Sequence, residues 1–421
     1  MTVVDAILDA SLASAPDTAR AVMRLSLIDW MACGLAGQGE PVSRMTRALV
    51  EDEAGAPQAT VFGGGRFPAR AAALANGATS HALDYDDTHF AHIGHPSVAV
   101  IPAALAMAER QGVGFDAMLN AALAGCEASI RFGRLFGRSH YQQGFHQTAT
   151  AGAFGAAVAA CQVLGLERDT LGQALGLVTT RASGLKSQFG TMGKPFNAGI
   201  AAANGVEAAL LAAQGFVSNP DALDGVNGFV GTHHCDGTAE QPAGFLMETV
   251  SHKFHACCHG LHATLEALQS LAPIAPEDVT AIHITTHPRW MTVCNQICPD
   301  TGLGAKFSYR TVAAFGVLGL STAALDTFDD EKCNRPEVTA LRDRVTVTAD
   351  DSLTEMQARV QLHMGQGTRD AFHDLDAPLA LEARTARIKT KVTALLGPER
   401  AGALDSAISQ SDLSAFVALM R

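Results

Sequence analysis

The sequence is poor in aromatic rings, in charge and in long apolar runs. Aromatics make up 6% of the 421 residues, with Trp 2 and Tyr 3, and charged side chains only 17%. A core with few rings has to be closed by small side chains. The 40 glycines and the abundant alanines therefore point to helices that approach one another closely. So little charge beside 48% hydrophobic residues excludes long disordered regions. Basic residues are also scarce, 30 against 42 acids, for a formal net charge of -12. That balance excludes nucleic acid as a natural partner, because phosphate binding needs a surplus of Lys and Arg.

Further absences narrow the chemistry. The first twenty residues, with Asp5, Asp9 and Asp17, lack the basic and apolar regions of a secretory signal. The longest apolar runs, such as Val98 to Ala108, are too short to span a bilayer. Nine cysteines in a long chain without a signal read as reduced thiols, not a disulfide framework. The expectation is a soluble, cytoplasmic protein. No Cys-x-x-Cys or His-Glu-x-x-His pattern marks zinc, no GxxxxGK[ST] loop marks a nucleotide, and no GxSxG elbow marks a hydrolase serine. Gly63-Gly64-Gly65 lacks the strand–GxGxxG–helix context of a dinucleotide site.

What is present gathers in one stretch, His81-Ala-Leu-Asp-Tyr-Asp-Asp-Thr-His-Phe-Ala-His-Ile-Gly-His-Pro-Ser97. It holds three acids, four histidines and a threonine and runs straight into an apolar, alanine-rich segment. Titratable groups this dense beside buried sequence need partners or a chemical use. Read as a helix, the stretch puts His81, Asp84 and Thr88 on one face. Gly94 and Pro96 end that helix, and Pro96 starts the next. His95 then stands at a helix mouth, where free N–H groups attract anions and disfavour an imidazolium.

At this length two domains are expected. Helical spacing covers 19–37 (stopped by Gly34 and Gly37), 40–52, a run from Pro68, 97–111, 115–136, a buried segment opened by His146, and 170–185. Phe189 to Gly199 reads as a glycine-rich loop entering a helix over 198–214, and a further helix runs to Leu271. Ala59 to Phe62 is β-prone. Near Pro273 the texture changes: 281–286, 344–348 and 358–363 alternate as strands do, with 311–320 helical between them. The fold class is therefore mainly α with an α+β insert, a large all-helical domain over 1–267 and a smaller α/β domain over 268–383. The tail 384–421 is expected to pack back on the first domain.

Two histidine groups invite a metal reading, His89, His92 and His95, and the cluster His233-His234-Cys235. Spacing at i, i+3 and i+6 turns the first three away from a common point, and Cys294 and Cys298 read as buried thiols. No metal is expected. Acid/base chemistry on an anion remains. His95 and His146 each precede a helix, Lys194 sits before Pro195 where an ammonium can meet a carboxylate, and Lys253 lies in sequence too apolar for a casual surface charge. Taken singly, each has a plain structural explanation; together with Asp84 and Thr88 they point to a site.

The strings NGATSHALDYDDTH…HPSVAVIPAALA, GFHQTATAGAFGAA and FGTMGKPFNAGIAAANGVEAALLAAQGF resemble the MmgE/PrpD family, and the likeness runs over nearly the whole chain. It includes AKFS at Ala305 to Ser308. The resemblance implies a helical domain built from the N-terminal part and the tail, a smaller α/β domain between them, a homodimer, and chemistry without metal or organic cofactor. It implies a lyase acting on a small di- or tricarboxylate through a carboxylate-stabilised carbanion. Dehydration of the 2-methylcitrate kind is the first expectation, with decarboxylation of the cis-aconitate kind or epimerisation of an amino-dicarboxylate as alternatives. A non-catalytic carboxylate-binding homologue is the alternative of another class. Motif by motif, the resemblance marks His95, His146, Asp84 and Lys194 as catalytic and Thr88, Lys194 and Lys253 as substrate-binding. Around them stand His81, Asp87, His255, His259 and Tyr309. One extra residue separates Thr88 from His95, Lys253-Phe-His-Ala-Cys-Cys-His259 lacks the family's Pro and Arg, and Thr311 stands where relatives have a tyrosine. These departures bear on the substrate more than on the reaction type.

Overall fold

The structure is a computed structural model and describes residues 2–421. It divides into two compact units, Met1–His252 with Leu396–Arg421, and Lys253–Leu395. The sequence reading places the same divisions near 268 and at 384.

The first unit is helical. Its elements are α1 (Val3–Ser11), α2 (Asp17–Gly37), α3 (Pro41–Glu53), a two-stranded ribbon of β1 (Ala59–Thr60) and β2 (Arg66–Phe67), and α4 (Ala69–Ser80). There follow α5 (Ser97–Gln111), α6 (Phe115–Gln142), α7 (Gln147–Leu164), α8 (Arg168–Thr179) and α9 (Gly193–Ala213). The main packing pairs are α6 with α7, α7 with α9, α4 with α9, and α5 with α7. Small residues permit this closeness. A Cβ on Gly77 would stand 2.8 Å from the Gly199 Cα, and one on Gly155 would stand 2.4 Å from the Gly125 carbonyl oxygen. Helix α9 is long and apolar enough to cross a bilayer by length and composition, yet 67% of the relevant window is buried inside this unit. It is a core helix.

Several elements depart from the sequence reading. Gly34 does not stop α2, which runs on to Gly37 with the Phe62 ring packed where a Cβ at Gly34 would project. Helix α6 continues to Gln142 across a kink at Gly137 (φ 74). Helix α8 ends at Thr179, not 185, and α9 begins at Gly193, so Lys194 belongs to its first turn and not to a loop. The largest difference is in His81–Pro96, which forms turns and isolated bridges instead of a helix. Asp84 and Ile93 sit in the left-handed region, with φ 51 and 54. Asp and His side chains that bond locally or to other helices compete with helical backbone bonding.

The second unit carries α10 (His262–Ser270), β3 (Val279–Thr286), α11 (Tyr309–Val317), α12 (Pro336–Arg342), β4 (Val345–Ala349), β5 (Gln357–Met364) and β6 (Gly367–Asp374). The sheet order is β4-β3-β5-β6. β3 and β4 are parallel (Ile282 opposite Val345), and the other pairs are antiparallel. Strand β6 has no apolar alternation to announce it; the turn after Met364 folds it back as a hairpin on β5. Helix α10 covers β5 and β6, against which Ala358, Val360 and Leu362 are buried. Helix α13 (Leu381–Ser409) kinks at Gly397 (φ 77), and its later turns join the first unit with α14 (Leu413–Ala418). There Arg24 donates to the Ile408 carbonyl (2.6 Å), the Gly63 N–H donates to Met420 (2.7 Å), and the Phe115 and Phe416 rings meet edge to face. The tail from Leu396 onward groups with the first unit, where the sequence reading begins it at 384.

The irregular segment 81–96 is tied down by Asp87. Its carboxylate accepts from Ser26 of α2 (2.7 Å) and from Ser97 at the start of α5 (2.5 Å), and Ser26 Oγ lies 3.0 Å from His252 Nε2. Burial raises the Asp87 carboxyl to about 7, with Asp29 and Asp86 adding to the shift and the serine hydroxyls opposing it. A raised carboxyl contributes stability that is complete below its unfolded value of about 4 and is lost as the pH rises through 7. Asp87→Asn is therefore expected to raise the thermal midpoint relative to wild type more at pH 8 than at pH 5. A difference independent of pH in melts followed by circular dichroism would contradict this.

Candidate active site

Helix α4 ends at Ser80, and His81 caps it. The buried His81 ring brings Nδ1 to 2.8 Å from Asp86 Oδ1. Asp86 is fully buried, and its other oxygen lies 2.7 Å from His95 Nδ1. Burial works to raise the Asp86 carboxyl, but the imidazoles of His81 and His95 outweigh it and hold the group well below the usual carboxylate range. Between these residues the chain turns through Asp84, a residue type that tolerates positive φ better than most. That turn sends the half-exposed Asp84 carboxylate toward Lys194 Nζ at 2.7 Å and His95 Nε2 at 3.4 Å.

His146 stands immediately before α7. Its N–H donates to the Gly184 carbonyl (3.0 Å), and its Nδ1 lies 3.2 Å from Asn197 Nδ2. The ring packs edge to face against Phe189 at 4.9 Å and faces the His81 ring at 6.2 Å, while His81 and His95 meet at 4.6 Å. Burial, then the Lys194 ammonium and the neighbouring imidazoles, push His146 well below its ordinary range, against the opposing pull of Asp84. Lys194 lies 5.4 Å from the centroid of Phe189, a cation–π contact. The amino ends of α5, α7 and α9 thus meet at one place. His95 precedes the first, His146 the second, and Lys194 occupies the opening turn of the third. Partial positive charge from the helix ends adds to the ammonium there, so the arrangement suits an anion flanked by two imidazoles.

Five of the sequence-predicted residues come together here: Asp84, His95, His146, Lys194 and His81. Thr88 is paired with Ser251, its N–H donating to that carbonyl and the Ser251 N–H donating back (both 2.8 Å). Asp87 faces α2 and α5 as described. Lys253, His255, His259 and Tyr309 belong to the second unit. Lys253 is buried there, close enough to Cys257 and His262 for its charge to act on both. His255 is held between Thr322 (2.6 Å) and Glu266 (3.0 Å), which Arg387 grips in turn (2.8 and 2.5 Å). The Tyr309 hydroxyl donates to the Gly260 carbonyl (2.7 Å) and accepts from Thr286 (2.8 Å), and burial raises its pKa. These contacts give His255 and Tyr309 framework roles within their unit. The His259 ring lies 4.7 Å from that of His262.

Asp86, Asn197 and Phe189 are absent from the sequence-based site. The helical reading of 81–96 places Asp86 off the face of His81, Asp84 and Thr88, and only the turns in that segment bring it to His81 and His95. The histidines 89, 92 and 95 do not converge: His89 Nε2 lies near Leu246 O (3.2 Å) and Thr249 Oγ1 (3.0 Å), while burial depresses His92 to about 3. His233 instead stacks on Phe229 at 3.9 Å. Among the described residues, the group with metal-ligand geometry is His81, Asp84, Asp86 and His95, whose donor atoms lie within 4.8 Å of one another. These donors fit an ion poorly. Asp86 already has an imidazole nitrogen against each oxygen, at 2.8 and 2.7 Å, and the Lys194 ammonium takes a cation's place beside Asp84.

Residues 2–241 match the MmgE/PrpD N-terminal domain and residues 255–399 the MmgE/PrpD C-terminal domain. Among curated proteins the chain is 27% identical to the cis-aconitate decarboxylase of Aspergillus terreus over 395 residues, covering 85% of this chain and 80% of that one. It is 28% identical to a cis-aconitate decarboxylase-like protein of Aspergillus oryzae over 357 residues, 76% of this chain and 73% of the relative. To the cis-aconitate decarboxylase of Mus musculus it is 27% identical over 345 residues, covering 76% and 69%. The chain belongs to the MmgE/PrpD family.

Proposed function

We propose that the protein is a lyase that acts on a small di- or tricarboxylate and that its reaction is decarboxylation of an aconitate-like substrate. The observation that carries this reading is the union of Lys194, Asp84, His95, Asp86 and His146 at three helix amino ends. The names of the relatives support decarboxylation over its alternatives. In that reaction the bond from carbon to one carboxylate breaks and its electron pair passes toward a neighbouring carboxylate. Negative charge grows on those oxygens. Lys194 and the helix ends are fixed donors for it, and such preorganised donors commonly supply the largest catalytic contribution. The carbanion then takes a proton from one of the imidazoles, and Asp86 keeps the His95 ring in place while it does so.

Dehydration of a 2-methylcitrate-like hydroxy acid, the first expectation from sequence, is the second reading. It is favoured by the different surroundings of the two imidazoles, one bonded to a carboxylate and the other beside an ammonium and an amide. Such a contrast suits removal of a proton at one and donation at the other. The groups used in either reading belong to the chain itself.

Incubation with cis-aconitate, 2-methylcitrate and an amino-dicarboxylate separates the readings. Released CO₂ from the first supports the proposal, and a new double bond from the second supports dehydration. Binding of all three without turnover would overturn both and favour a carboxylate-binding homologue. With the turned-over substrate, Lys194→Met is expected to lower kcat/KM by about 10²–10³-fold. Lys186→Met, at a lysine committed to the Tyr141 carbonyl at 3.0 Å, is expected to stay within a few fold. Equal effects of the two changes would remove Lys194 from the scheme.

A further inference from the structure

We infer that Asn197 is a positioning residue that locks neutral His146 as its Nε2–H tautomer, so that the ring offers substrate an N–H and not a lone pair. The inference rests on the site reading above and divides the labour between its two imidazoles. Asn197 is buried one turn after Lys194 on α9. Its amide nitrogen lies 3.4 Å from the Leu185 carbonyl oxygen and 3.2 Å from His146 Nδ1. A carbonyl oxygen only accepts, so the amide must turn its NH₂ to Leu185, and its second hydrogen then points at Nδ1. A nitrogen that receives a hydrogen bond carries a lone pair. The single proton of the neutral ring is therefore on Nε2.

The backbone around the amide keeps this orientation. Gly184, at φ 136, accepts the His146 N–H, and a Cβ built there would lie 3.4 Å from the Asn197 Cγ. The neutral state is enforced separately, by burial and by the Lys194 charge. His95 is held differently. Its Nδ1 lies 2.7 Å from Asp86 Oδ2 and its Nε2 3.4 Å from Asp84 Oδ1, so a carboxylate faces each ring nitrogen where His146 has an amide. His146 then serves as a hydrogen-bond donor to charge developing on the substrate carboxylate, and His95 is the group that moves a proton. A neutral imidazole donating to a developing oxyanion is an established chemical device.

The full-length protein labelled with ¹⁵N-histidine tests this by long-range proton–nitrogen correlation spectra between pH 6 and 8, with the His146 signals assigned by their loss in His146→Gln. The expected wild-type pattern is a protonated Nε2 and an unprotonated Nδ1. In Asn197→Asp the new carboxylate demands a proton from Nδ1, so the pattern is expected to become Nδ1–H or doubly protonated. Its kcat is expected to fall on the order of 10²-fold, with KM changed only a few fold because Lys194 remains. A wild-type spectrum showing Nδ1–H, or an unchanged pattern in folded Asn197→Asp, overturns the inference, and the wild-type spectrum decides alone if the variant does not fold. The expected spectra together with no turnover of any carboxylate would uphold the tautomer lock and refute the reaction reading instead.

Discussion

Asp86 is a carboxylate taken wholly out of water and kept charged by two imidazoles, at 2.8 and 2.7 Å. A buried charge of this kind is tolerated only while its partners stay in place, and removal of one partner from such a pair typically costs about 3–5 kcal/mol. The bond therefore fixes more than itself. It holds the end of α4 at His81 against the start of α5 at His95, and it sets the path of the irregular chain between them. Asp84 owes its position to that path, and through Asp84 the network reaches Lys194 on α9.

That polar network requires helices that come unusually close, and small residues provide the approach. The contact of Gly77 with Gly199 brings α4 and α9 together near the ends that carry His81 and Lys194. The contact of Gly125 with Gly155 does the same for α6 and α7, whose amino end carries His146. A core of alanine and glycine gives up the large contact area of aromatic side chains and gains short distances between backbones. The convergence of three helix amino ends follows from that packing, and with it a local positive field inside a protein of net charge -12.

Much of this was legible in the sequence. Helix α5 runs from Ser97 to Gln111 as its spacing predicts, because the His-Pro-Ser start and the Gly112 stop are local signals. The membership of His95, His146, Lys194 and Asp84 in one cluster was legible through motifs. The geometry of 81–96 was not. Its helical periodicity is real, but buried Asp86 and Asp87 bond to partners distant in the fold, and those long-range bonds outweigh local propensity. The same cause hid Asn197, whose role depends on a carbonyl in another loop. Strand β6 was hidden because its face has little apolar pattern and it is placed by pairing with β5. His255 and Tyr309, which the resemblance sets around the site, make their bonds within the second unit.

The central claim is that a substrate carboxylate binds where α5, α7 and α9 begin. A crystal structure of the protein with tricarballylate, an unreactive tricarboxylate, tests it most directly. The account predicts one carboxylate of that ligand within hydrogen-bond distance of Lys194 Nζ, with the His146 and His95 rings facing the same molecule. Tricarballylate bound elsewhere, with the Lys194–Asp84 pair undisturbed and no anion at the three helix ends, would contradict it.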